Sequence, residues 1–61
     1  MDPNATFDAA RDAYCGGRWA DCLDAALALQ LWVRKRGFAP ARPDWATHLA
    51  EFLRAACRYA S

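Results

Sequence analysis

Residues 19–40 read WADCLDAALALQLWVRKRGFAP, and the fold depends on how this stretch is parsed. Apolar residues recur at helical spacing in two rows. One is Cys22, Ala26, Leu29 and Val33; the other is Trp19, Leu23, Leu27 and Leu31. Ala25, Ala28 and Trp32 form a third flank. The spacing predicts a helix over about 18–36. A helix apolar around so much of its circumference belongs at the centre of a bundle or against a second chain. Its end is marked by Arg34-Lys35-Arg36, which complement the negative end of the helix dipole. Gly37 suits the C′ position. That makes Val33 the C3 residue and Phe38 the C″ residue, the pair a Schellman closure brings into contact. Pro40 forbids continuation.

A first helix is expected over about 4–15. Asp2 and Pro3 read as N-cap and N1, with Asn4 as a competing cap. Phe7, Ala10 and Tyr14 form its apolar stripe, and Gly16-Gly17 stops it. A third helix is expected over about 44–59, starting at Pro43 or Asp44. It carries a seam of Trp45, Leu49, Phe52, Ala56 and Tyr59, widened by Leu53. Residues 37–42 form a loop held extended by Pro40 and Pro43. Short turns favour antiparallel neighbours. The expectation is an all-α protein, an antiparallel three-helix bundle forming one small domain over residues 1–61. Up-down-up packing would bring Cys15, Cys22 and Cys57 to one pole and leave His48 near the other.

Composition agrees with a helical chain. Alanine fills 15 of 61 positions, isoleucine is missing and Val33 is the one valine. Strand formers are therefore scarce and strong helix formers abundant. At this length a single core supplies roughly 3–5 kcal/mol, so staples or self-association are common. Charge is uneven. Residues 1–33 carry five aspartates against two arginines, net −3; residues 34–61 carry six basic residues against Asp44 and Glu51, net +4. Such asymmetry steers a partner or favours head-to-tail self-association.

Met1-Asp2-Pro3-Asn4 has neither the basic region nor the apolar run of a signal peptide. The longest apolar stretch, Ala25–Val33, is interrupted by Gln30 and is far short of the ~20 residues that span a membrane. Three cysteines without a secretion signal point to reduced thiols in the cytoplasm.

Residues 10–29 resemble a tetratricopeptide hairpin. Ala13-Tyr14 corresponds to that repeat's Ala-Tyr pair, Gly17-Arg18-Trp19 to its turn, and Cys22-Leu23 to its small-then-aliphatic pair. The turn is one residue shorter, Cys22 stands where alanine is usual, and no 34-residue period recurs. The resemblance implies hairpin geometry and peptide binding. Residues 31–40, LWVRKRGFAP, are similar to a segment of short uncharacterised bacterial helical proteins, which implies no particular function.

Four groups of residues could carry chemistry. Cys15, Cys22 and Cys57 could converge as thiolate ligands for a metal or as a redox site, but no CxxC knuckle or fourth ligand accompanies them. As structural residues they are small hydrophobes. Arg34, Lys35, Arg36 and Arg42 form a basic patch that could meet a nucleic-acid backbone. The helix dipole explains the same cations, and an apolar second helix is a poor DNA reader. His48 and Asp44, one turn apart, could orient an imidazole, without a nucleophile nearby. Asp8, Asp12, Asp21 and Asp24 read as a solvated face. Eight aromatic residues, three of them tryptophan, are many for three short helices, so an apolar patch is expected at the surface. The resulting expectation is a non-enzymatic protein–protein interaction module without a cofactor, a homo-oligomer or adaptor using Leu27, Leu31 and Trp32.

Overall fold

The computed structural model describes residues 2–35 and 37–60. These hold three helices and no strand: α1 (Pro3–Cys15), α2 (Trp19–Arg34) and α3 (Trp45–Ala60). The architecture is the antiparallel three-helix bundle read from the sequence. The central helix, α2, packs on both neighbours, while α1 and α3 meet more sparingly.

α1 begins where the sequence places it. The Asp2 carboxylate accepts from the main-chain N–H groups of Asn4 and Ala5, at 3.0 and 3.3 Å. These bonds satisfy donors that the first helical turn leaves without partners. The helix closes in a Schellman turn. Arg18 N–H donates to Ala13 O at 2.9 Å, and Gly17 N–H donates to Tyr14 O at 3.3 Å. Gly17 takes φ +72°, a left-handed conformation that a side chain would strain.

The end of α2 differs by one residue from the expectation. Gly37 N–H donates to Trp32 O at 2.9 Å. This is the bond from C″ to C3, so Gly37 occupies C″ and Trp32, not Val33, is C3. The expected Val33–Phe38 packing does not form, and Phe38 is 82% exposed. Gly37 is required for a different reason: a Cβ there would run into the Trp32 indole. The indole Nε1 reaches over the glycine and donates to Phe38 O at 3.0 Å. α3 starts at Trp45, one or two residues later than expected. Asp44 has φ +57°, and its main-chain carbonyl accepts from His48 N–H at 3.0 Å.

The core consists of Phe7, Ala10 and Ala13 from α1, Cys22, Ala26 and Leu29 from α2, and Leu49, Phe52 and Ala56 from α3. Four of these nine are alanine. Helices whose contact faces carry small side chains approach closely, since those side chains set the interaxial distance. An aromatic ladder fills the space beside them. Phe7 meets Phe52 at 5.6 Å between ring centroids, Phe52 meets Tyr14 at 5.1 Å, Tyr14 meets Trp19 at 5.6 Å and Trp19 meets Tyr59 at 5.0 Å. The three tryptophans are all half-buried rather than left outside.

Ala26 is fully enclosed between the helices. Ala26→Leu should therefore destabilise the fold by roughly 1–3 kcal/mol through overpacking, read as a lower urea midpoint with an unchanged slope.

Candidate interaction surface

α2 has 3.6 residues per turn, so each residue's direction follows from its position. Cys22, Ala26 and Leu29 face the core. Leu27 and Leu31 lie two residues either side of Leu29, about 160° around the helix from it. They therefore stand almost diametrically opposite the core, 42% and 52% exposed. Of the three residues expected at a contact face, Leu27 and Leu31 are exposed on this side, whereas Trp32 is half-buried with its indole against Gly37. Its role is to close the loop after α2.

Beside this face, between α2 and α3, runs a shallow apolar groove of about 280 Å³ lined by Val33, Trp45, Leu49 and Leu53. Gln30 and Arg34 form its α2 rim. A second groove, of about 470 Å³, opens between α1 and the start of α3. Phe7, Tyr14 and Phe52 line it together with Arg11, His48 and Glu51. His48 sits 6.3 Å from both Phe7 and Phe52 by ring centroid. It is an exposed rim residue on an aromatic floor.

The basic residues divide. Arg34 and Lys35 are exposed at the end of α2. Arg36 lies outside the described residues. Arg42 is bound elsewhere, with its Nη2 donating to Asp8 Oδ2 at 2.7 Å and its Nε to Oδ1 at 3.3 Å. A fork of this kind holds a carboxylate in a fixed geometry. Arg42 thus ties the loop to α1. Asn4 assists, its Oδ1 accepting from Ala41 N–H at 2.6 Å. Asp8 and Asp12 are consequently not part of a bare solvated face, since Asp12 also takes Arg18 at 2.9 Å.

The thiols divide as well. Cys22 is buried, and its Sγ–H points to Phe52 O at 3.8 Å. Burial pushes its thiol up from the ordinary value, so the neutral form is favoured. Cys15 and Cys57 are exposed. Among the described residues no group of three His, Cys, Asp or Glu side chains is placed to hold a metal ion. The helices do not gather the three thiols into a ligand set, because Cys22 is turned inward by the core face of α2. Nor is any helix of the described residues long and apolar enough to cross a membrane.

Compared with protein-family models, with curated proteins and with solved structures, the chain matches none of them.

Two outcomes follow from these placements. Iodoacetamide should modify Cys15 and Cys57 in the native protein and reach Cys22 only when the chain is unfolded, as counted by intact mass. The hydrogen bonds from Arg42 hold the Asp8 carboxyl below its usual 3.8; partial burial opposes this, and the charges of Arg42 and Arg11 reinforce it. A carboxyl lowered on folding stabilises above its unfolded value, and that contribution disappears as pH falls through the folded one. The stability advantage of the native chain over Asp8→Asn should accordingly be present at neutral pH and shrink below pH 3.8 in acid titrations followed by circular dichroism.

Proposed function

We propose that this chain is a non-enzymatic protein–protein interaction module that docks a helical partner on the outer face of α2. The observation that carries the reading is the pair Leu27 and Leu31, one turn apart and about half exposed on the side away from the core. Full burial of a leucine is worth roughly 1.5–3 kcal/mol, so two left at the surface forgo much of the stabilisation this small domain could draw from them. A partner helix recovers it, with leucines one turn apart serving as anchors. The half-open groove beside them, lined by Val33, Trp45 and Leu53, gives such a helix a second apolar wall. We place the module in the cytoplasm, where exposed thiols such as Cys15 and Cys57 stay reduced.

The test is photo-crosslinking in cells that express the chain. Benzoylphenylalanine substituted for Leu31 should give discrete protein adducts. The same residue substituted for Thr47, exposed on α3, should not. Absence of an adduct at position 31, or equal labelling at 47, overturns the reading.

A further inference from the structure

We infer that the partner on the outer face of α2 is a second copy of this chain, packed antiparallel about a two-fold axis at the level of Leu29. This rests on the docking face proposed above and adds its occupant, orientation and register.

Asp24, Leu27, Leu31 and Arg34 lie five and two residues before Leu29 and two and five residues after it. Their spacing, 3-4-3, is that of a heptad seam, in which successive knobs stay on one face of a helix. Leu27 and Leu31 lie near the centre of the outer face. Asp24 and Arg34 flank it at about 140° from the direction of Leu29, one on each side. All four are exposed. The described residues form three ion pairs, Arg11–Asp8, Arg18–Asp12 and Arg42–Asp8. Asp24 and Arg34 take part in none of these.

A rise of about 1.5 Å per residue puts Leu27 and Leu31 some 3 Å below and above Leu29, and Asp24 and Arg34 some 7.5 Å below and above. A two-fold axis through the face at that level reverses heights. Leu31 of the second copy then meets Leu27, and Arg34 of the second copy meets Asp24. Each interaction occurs twice, as an isologous interface requires. The seam has two leucine layers at its centre and an acid–base layer at each end. A parallel pair in the same register would instead set Asp24 on Asp24 and Arg34 on Arg34. The charges therefore select one orientation against the other, which is how polar seam positions specify helix pairing.

The area such a face offers is limited. A standard interface removes about 800 Å² from each partner, roughly a fifth of this chain's 4074 Å². Four seam positions along one 16-residue helix reach that only with help from their flanks. Ala20 lies on the same meridian and is exposed. Phe38, in the loop after α2, adds a ring that is 82% exposed.

Sedimentation equilibrium on the full purified chain, under reducing conditions and up to about 1 mM, provides the test. The native chain should dimerise. Asp24→Arg and Arg34→Asp should each weaken dimerisation at least about tenfold, because each puts like charges in both end layers. Two restorations should follow: an equimolar mixture of the single variants, which pair as heterodimers, and the double variant D24R/R34D. Both sites are exposed, so unchanged far-ultraviolet circular dichroism should accompany every variant. A native chain monomeric at the highest concentration overturns the inference, as do single reversals without effect or a double variant that is not restored. A monomer that still gives adducts with a different protein from position 31 removes the second copy as occupant while leaving the docking face in place. A monomer without any adduct removes both.

Discussion

Four alanines and a cysteine govern how this molecule is built. Ala10, Ala13, Ala26, Ala56 and Cys22 occupy the places where the helices meet, and each is buried. Small side chains there bring the backbones close and leave room for only four large residues in the core: Phe7, Leu29, Leu49 and Phe52. The consequence is felt on the far side of α2. With its inner face satisfied by Cys22, Ala26 and Leu29, the helix has no inward place for Leu27 and Leu31. The exposed leucines are thus not an accident of composition. They are what remains when a helix apolar on most of its circumference has just two neighbours.

The connection between α2 and α3 carries a second constraint. α1 and α3 meet less extensively than either meets α2, so the position of α3 depends on how the loop is held. Three separate contacts hold it. The Trp32 indole bonds Phe38 O over a glycine that has no side chain to obstruct it. Asn4 takes the main chain of Ala41, and Asp8 takes the Arg42 guanidinium. Pro40, in the same loop, is buried. Residues of α1's first two turns therefore direct where α3 begins, and through it where Phe52 and Tyr59 enter the aromatic ladder. Because the Arg42–Asp8 pair is half exposed, its worth is chiefly geometric, fixing a register more than adding stability.

Chemistry-bearing residues are distributed by the same logic. The buried thiol, the clamped arginine and the rim histidine each have a structural explanation. What remains without one is a surface, and its charges are ordered along it. Acid lies before the leucines and base after them on one face of one helix. The proposed pairing with a second copy rests on this self-complementary order.

The order and extent of the helices were legible in the linear sequence because they depend on local rules. These are the carboxylate of Asp2 two residues before Asn4, the glycine pair after Cys15, and apolar residues at intervals of three and four. Those signals act within a turn or two of backbone and need no distant partner. The angle of Leu27 and Leu31 to Cys22, Ala26 and Leu29 was likewise open to sequence reading, but not which of the two apolar rows faces the core. Tertiary structure alone decided the rest. It joined Arg42 to Asp8 across 34 residues of chain, turned Trp32 onto Gly37, and sent Cys22 inward while Cys15 and Cys57 stayed outside. Spacing along a chain fixes the direction of a side chain around its own helix. What stands in that direction depends on how closely the other helices approach, and that distance is set by packing between segments far apart in sequence.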